Sequence, residues 1–181
     1  GSLQSYQYLP LAIDVAAAIH YFAHEALVHL DIKPSNIIMG APAKLIDLSV
    51  MRTTTDAAAL SYPIGTDAYL APEQADPPHT GEPGVASDVW GLGSTLFHAV
   101  AGYRPFPDGD PESADLVERF PQVALRAAEL PDDVPDEVAK LIIAMLEKRP
   151  ANRPRPAEVA DTLQPVLEAL PRGRLAGFKV R

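Results

Sequence analysis

The apolar residues of this chain recur at helical spacing in several segments, and this periodicity constrains the fold more than any other feature. One predicted helix face carries Leu11, Val15, Ile19 and Phe22. A second face carries Val89, Leu92, Leu96 and Val100. The pattern predicts helices over residues 11–26, 85–100, 113–120, 136–147 and 156–170. Pro10 is placed just before the first helix, and Pro165 predicts a kink or an early end in the last one.

The remaining chain divides into short β-like pieces and irregular segments. Residues 37–39 and 44–46 are apolar and are separated by a Gly-Ala-Pro-Ala turn, which predicts a small hairpin, and residues 27–29 form a third β-like piece. Residues 48–84 lack periodicity, and a stretch of that length inside a domain is typically functional or disordered. The fold class predicted from this pattern is mainly α, with a small β-hairpin.

Composition excludes several classes of function. The chain has 181 residues, which suits one domain, and it has no cysteine, so disulfides, Cys-ligated zinc and a cysteine nucleophile are excluded. A formal charge of −9 argues against a nucleic-acid partner, because phosphate recognition needs a basic surface. No apolar run approaches the roughly 20 residues needed to span a bilayer, and no signal peptide is visible.

A polar cluster between two β-like pieces carries the predicted chemistry. Asp31, Lys33 and Asn36 lie within six residues, and the hairpin would return Asp47 towards Asn36. One amide and two carboxylates suit Mg²⁺, which prefers oxygen ligands and is often completed by substrate phosphates. An Asp of this cluster that does not bind the metal ion could accept a proton from a hydroxyl. Lys33 could neutralise charge on a phosphoryl group. Taken singly, each of these residues is better explained as structural, and only their joint spacing points to a site.

These residues form part of a longer series of motifs that resembles the carboxy-terminal lobe of a eukaryotic-like Ser/Thr protein kinase. Residues 29–36 resemble the catalytic loop, and Asp47 resembles the magnesium aspartate that opens the activation segment. Residues 71–73, Ala-Pro-Glu, resemble the motif that closes this segment, preceded by the docking stretch with Gly65, Thr66 and Tyr69. Residues 87–93 resemble the start of the buried central helix, and Arg153 falls where a kinase places the partner of Glu73.

The resemblance implies a role for each site residue. Asp31 would be the catalytic base, Lys33 a catalytic and cofactor-binding residue, and Asn36 and Asp47 the metal and cofactor ligands. The implied cofactors are ATP and Mg²⁺, with Mn²⁺ as an alternative metal ion. Lys33 favours Ser/Thr acceptors in protein substrates over tyrosine.

The resemblance also implies a domain organisation. Residues 9–170 would form the lobe, with the catalytic loop at 29–36 and the activation segment at 47–73. Residues 1–8 are interpreted as an expression scar and linker, and 171–181 as a basic tail. We expect a cytoplasmic protein, or the cytoplasmic part of a membrane-anchored parent protein. Enrichment in Ala, Pro and Arg hints at a GC-rich bacterial source.

The sequence departs from the kinase pattern in three places, and these departures leave more than one function open. Nothing before Leu11 resembles the Gly-rich loop, the β-strand Lys or its Glu partner, so the amino-terminal lobe is an expected partner and the chain alone is expected to be inactive. Leu30 replaces an Arg that commonly pairs with a phosphorylated residue, so phosphorylation at Thr53, Thr54 or Thr55 is not expected to order the loop in the usual way. Ser49 replaces a Gly.

These departures keep two other functions open. The first is a pseudokinase that acts as a binding module, which Leu30 and Ser49 favour. The second is a small-molecule phosphotransferase, whose catalytic loop also uses Asp and Asn. Lys33 and the closing Ala-Pro-Glu motif argue against the second, because they suit a peptide-binding platform.

Overall fold

The computed structural model describes residues 2–171 as a mainly helical domain, which confirms the predicted fold class. The longer helices are α1 (Ser5–His24), α5 (Val85–Ala101), α7 (Asp136–Met145) and α8 (Pro156–Glu168). Four α-helices of four or five residues are α2 (Thr54–Ala58), α3 (Pro72–Ala75), α4 (Pro77–Thr80) and α6 (Leu116–Arg119). Single 3-10 turns cover Pro34–Asn36, Asp67–Tyr69, Pro121–Val123 and Pro150–Asn152.

The first helix differs from its predicted bounds. It begins at Ser5 instead of 11, so residues 5–8 are helical where a linker was predicted, and Pro10 lies inside the helix. Tyr8 is buried in the core, and the Leu3 N–H donates to the carbonyl of Ala99 at 2.6 Å, so tertiary contacts hold this end of the chain. The periodic count missed these turns because Gln4, Ser5 and Gln7 are polar.

Residues 27–53 contain two pairs of very short antiparallel strands. Strands β2 (Ile37–Ile38) and β3 (Lys44–Leu45) form the predicted hairpin, with Ile37 opposite Leu45. Strand β1 (Leu27–Val28) pairs with β4 (Arg52–Thr53), a partner that lies in the segment predicted to be irregular. A strand of two residues carries no detectable alternation, so only the tertiary structure reveals this pairing.

The core lies where α1 packs against α5 and α8. Helix α5 is buried on almost every side, including Trp90, Leu92, Leu96 and Phe97. At Gly91 a Cβ atom would lie 2.9 Å from the carbonyl oxygen of Ile32, so the glycine allows the loop that follows β1 to rest directly on α5. The central helix therefore serves as the base on which the polar cluster is built.

The last long helix agrees with its prediction except at its end. Helix α8 was predicted over 156–170 with a kink or an early end at Pro165; it continues through Pro165 to Glu168, so the helix does not end at the proline. No helix within residues 2–171 is both long enough and apolar enough to cross a bilayer. The predicted basic tail at 171–181 lies outside the described residues except for Pro171.

Candidate active site

The loop between β1 and the Pro34–Asn36 turn is held in an unusual backbone conformation. Leu30 has φ = 65°, a left-handed value that costs a residue other than glycine about 1–3 kcal/mol. The buried carboxylate of Asp88 on α5 accepts hydrogen bonds from the N–H groups of His29 at 2.8 Å and Leu30 at 2.7 Å. These bonds compensate the strain and turn the following residue, Asp31, towards the rest of the cluster.

His29 supports the same loop and takes no chemical role of its own. Its Nδ1 accepts from the N–H of Asp31 at 3.3 Å, and its Nε2 lies 3.2 Å from the carbonyl oxygen of Ile46. Burial lowers the pKa of the His29 imidazole, so the neutral ring with its proton on Nε2 satisfies both contacts. The ring therefore joins the residue before Asp47 to the peptide of Asp31.

Asp31 is the most highly connected carboxylate of the cluster. Its Oδ1 accepts a hydrogen bond from the hydroxyl of Thr66 at 2.7 Å, and its Oδ2 lies 2.8 Å from Nζ of Lys33. Asn36 Nδ2 donates to Oδ2 at 3.0 Å and to the Asp31 carbonyl at 2.9 Å. Lys33 also donates to the Thr66 hydroxyl at 2.5 Å. Three residues of the predicted polar cluster, Asp31, Lys33 and Asn36, are thus brought together, and Thr66 of the docking stretch joins them.

The hairpin returns the chain to Asn36 at the residue before Asp47. The N–H of Ile46 donates to the carbonyl of Asn36 at 2.9 Å, which fixes the residue before Asp47 against the residue that carries the amide. Asp47 has φ = 63° and its side chain is exposed. The hydroxyl and the N–H of Ser49 lower the pKa of the Asp47 carboxyl, which stays ionised at neutral pH.

The donor set of Asn36 and Asp47 fits a hard divalent cation. Because Asn36 uses its Nδ2 group to bind Asp31, its Oδ1 atom is the one that can face a metal ion. An ionised carboxylate and an amide oxygen are ligands that Mg²⁺ accepts, with waters and phosphate oxygens supplying the rest. Within residues 2–171 no group of three or more His, Asp or Glu side chains is arranged to hold a metal ion. The chemistry of the pair suits an ion whose remaining ligands are phosphate oxygens and water.

The closing segment is anchored by a buried ion pair, as predicted. Arg153 donates to Glu73 through two nitrogens, at 2.6 and 2.8 Å, and both side chains are fully buried. The hydroxyl of Ser87 donates to the same carboxylate at 2.7 Å. The remaining Arg153 N–H groups donate to the carbonyls of Ala86, Glu147 and Lys148. This satisfied network fixes α3 on α5 and so positions the segment that carries Thr66.

Some supporting residues were missed from the sequence. Asp88 lies in the first turn of α5, yet it accepts from two N–H groups that are 58 and 59 residues away along the chain. Gln74 donates through its side-chain amide to the carbonyls of Leu30 and Ile64. Gln122 donates in the same way to the carbonyls of Asp67 and Leu70. A lone buried glutamine has no sequence signature, so no local pattern could have identified these two.

Comparison with known proteins assigns the family. Residues 1–163 match the protein kinase domain. The chain therefore belongs to the protein kinase family.

The relatives that it resembles are named as serine/threonine kinases. It is 37% identical over 156 residues to the probable serine/threonine-protein kinase PkwA of Thermomonospora curvata, which covers 83% of this chain and 19% of that protein. It is 34% identical over 162 residues to the serine/threonine-protein kinase AfsK of Streptomyces coelicolor, covering 87% and 19% of the two chains. The chain thus spans about a fifth of the length of these curated relatives.

Proposed function

We propose that this chain is the catalytic, carboxy-terminal lobe of a protein serine/threonine kinase that transfers the γ-phosphoryl group of ATP to Ser or Thr hydroxyls. The observation that carries the proposal is the Asp31 carboxylate, held at 2.7–3.0 Å by Thr66, Lys33 and Asn36. A carboxylate fixed by three partners is oriented in advance for an incoming hydroxyl. The names of the relatives support the Ser/Thr class.

Each residue of the cluster has a defined task in this proposal. Asp31 orients the acceptor hydroxyl and accepts its proton as the oxygen forms its bond to the γ-phosphorus and the bond to the β-phosphate oxygen breaks. Lys33, which lies 2.8 Å from Asp31, offsets the negative charge of the transferred group. Asn36 and Asp47 would hold Mg²⁺, or Mn²⁺, which supplies charge neutralisation at the phosphates.

An exposed apolar surface supports the proposal that an amino-terminal lobe completes the nucleotide site. The hairpin and the residue after Asp47 expose four large apolar side chains, each 38–52% accessible: Ile38, Met39, Ile46 and Leu48. Clustered apolar exposure marks a surface that another unit covers. We propose that this unit is the missing lobe of the parent protein, and that this chain alone transfers phosphate poorly or not at all.

The proposed function also includes a cellular location and a source for this protein. Because ATP is the phosphoryl donor, the site is assigned to the cytoplasm, in a cytoplasmic protein or in the cytoplasmic part of a membrane-anchored parent. The Ala-, Pro- and Arg-rich composition supports a bacterial source.

The test is transfer of label from γ-labelled ATP to a Ser/Thr protein acceptor by the intact parent protein and its Asp31→Asn variant. We expect the variant to lose at least about 100-fold in kcat, because the amide cannot accept the proton, while its unfolding midpoint stays unchanged. Asp161→Asn, an exposed carboxylate on α8, is the matched control and should retain full activity. Full activity of Asp31→Asn would refute the proposed base. A folded parent protein that transfers no label would instead identify a pseudokinase acting as a binding module.

A further inference from the structure

The side chain of Gln74 on α3 lies between two segments that meet at the candidate active site. It is 3% exposed. Its Nε2 group donates to the carbonyl of Leu30 at 2.8 Å and to the carbonyl of Ile64 at 3.0 Å, and its Oε1 accepts from the N–H of Ala71 at 3.2 Å. All three bonds go to backbone groups, so this side chain controls main-chain position.

The two carbonyls belong to the segments that carry Asp31 and Thr66. Leu30 directly precedes Asp31, and Ile64 lies two residues before Thr66. The hydroxyl of Thr66 donates to Asp31 at 2.7 Å. One amide group therefore fixes both sides of the contact between the proposed base and the segment on which an acceptor would bind.

The backbone around Gln74 shows why a link is needed here. Asp88 holds the N–H of Leu30, whereas Gln74 holds its carbonyl, so the left-handed Leu30 is restrained on both sides. Gly65 has φ = 121°, and a Cβ there would lie 2.7 Å from the Leu30 carbonyl oxygen. The two segments thus approach as closely as their backbones allow.

The contact set specifies the residue type. Two N–H donors and one acceptor on a single short group are offered by a primary amide, and neither Met nor Glu supplies the donors. Asn carries the same amide on a side chain one methylene shorter, which is too short to reach both carbonyls from the same backbone position. Because the side chain of Leu30 is apolar and forms no hydrogen bonds, it is the backbone carbonyl of Leu30 that accepts the bond from Gln74.

We propose that Gln74 is a positioning residue for phosphoryl transfer, which locks the loop of Asp31 to the segment of Thr66 by a neutral amide bridge. The inference rests on the proposed kinase function for its kinetic consequence. The bridge is uncharged and fully formed by this chain, so it holds the two segments together without a phosphate group on the activation segment.

The kinetic test compares Gln74→Met and Gln74→Asn in the intact parent protein. We expect both variants to lose about 100-fold in kcat, because a small displacement of a reacting group has an effect of that size. The KM for ATP should stay close to that of the wild type, since Gln74 contacts neither Asn36 nor Asp47. The matched controls are Gln164→Met and Gln164→Asn on α8, where the side chain is exposed and bonds Glu168 on the same helix. Wild-type kcat in a folded Gln74 variant would overturn the inference.

Amide hydrogen exchange separates this inference from the proposed function. In Gln74→Asn we expect exchange to rise about tenfold in residues 29–36 and in residues 60–70, with residues 89–97 of α5 as protected as in the wild type. A residue that only stabilised α3 would change residues 71–76 alone, and that result would overturn the inference. The exchange test needs no turnover. A wild type that transfers no phosphate would therefore refute the kinase proposal and leave this measurement decisive for the bridge.

Discussion

At each of the two acidic residues of the site the backbone includes one left-handed residue, but the two left-handed residues are held in different ways. Before Asp31, Leu30 has φ = 65°, whereas Asp47 itself has φ = 63°. Leu30 is buried, and Asp88 and Gln74 hold its N–H and its carbonyl. Asp47 is exposed, and the bonds from Ser49 are local. The same strained conformation is thus supported by the whole fold in one case and by a neighbouring residue in the other.

This difference divides the site into two parts: the Asp31 half, which includes Leu30, and the Asp47 half, which includes Ser49. The Asp31 half is rigid because its strain is offset by buried hydrogen bonds that originate on α3 and α5. The Asp47 half projects from the hairpin among exposed apolar residues, so its surroundings are completed by whatever covers that face. Under the proposed function, acceptor positioning would be built into this chain, and nucleotide binding would need the amino-terminal lobe.

The largest expected effect comes from the buried ion pair of Glu73 and Arg153, which fixes the segment that carries Thr66. Arg153→Met should lower the free energy of unfolding by about 3–5 kcal/mol, because it leaves the buried Glu73 carboxylate unpaired. Urea denaturation of this chain measures the change. Arg155→Met is the matched control, since its pair with Glu158 is exposed to solvent and should contribute far less than the buried pair. Equal losses in the two variants would contradict the buried network as the base of the site.

The second prediction removes the side chain at the strained position of the rigid half. Leu30→Gly relieves the left-handed strain but removes a side chain that packs with Val28 and Ala57. We expect a net loss of about 2–4 kcal/mol in the free energy of unfolding, because the cavity term exceeds the strain relief. A more stable variant in urea denaturation would show that strain dominates at Leu30.

A third prediction concerns pH and the carboxyl that holds Leu30. Burial raises the pKa of Asp88 to about 7 from its ordinary 3.8, so the folded state binds more protons than the unfolded chain across this window. The contribution of Asp88 to stability therefore decreases as pH rises from about 4 to about 7. In Asp88→Asn this slope should vanish, because the amide that replaces the carboxyl does not titrate.

The measurement for Asp88 is the difference in unfolding free energy between wild type and Asp88→Asn at several pH values. His29, whose pKa is lowered by burial, acts in the opposite direction, and the difference between the two proteins removes its common contribution. A difference that stays constant between pH 4 and pH 7 would contradict the raised pKa.

The smallest effect is expected in the exposed half. Asp47→Gly places glycine at φ = 63° and removes an exposed side chain that accepts from Ser49 two residues on, so the free energy of unfolding should rise slightly, by much less than Leu30→Gly lowers it. The opposite signs of Leu30→Gly and Asp47→Gly would sharpen the contrast between the two halves. A loss at Asp47 as large as that at Leu30 would remove the contrast.

The elements that could be predicted have a local sequence signature, and one long-range contact could be predicted from the order of motifs. The spacing of Val89, Leu92 and Leu96 predicted α5, and the turn at 40–43 predicted the hairpin of β2 and β3. The pairing of Glu73 with Arg153 followed from the resemblance to a kinase lobe and is confirmed. The start of α1 at Ser5 and the pairing of β1 with β4 were missed, because polar residues and two-residue strands carry no periodic signal.

The sequence by itself determined the helical class, the hairpin, the family and the identity of the polar residues at 31, 33, 36 and 47. Each of these depends on residues close together along the chain or on motifs in a fixed order. Only the tertiary structure decided that Asp88 and Gln74 hold the backbone of Leu30, and that Thr66 contacts Asp31. Those hydrogen bonds join residues 35–58 positions apart. Such contacts arise from how buried backbone groups find partners after packing, which local patterns do not encode.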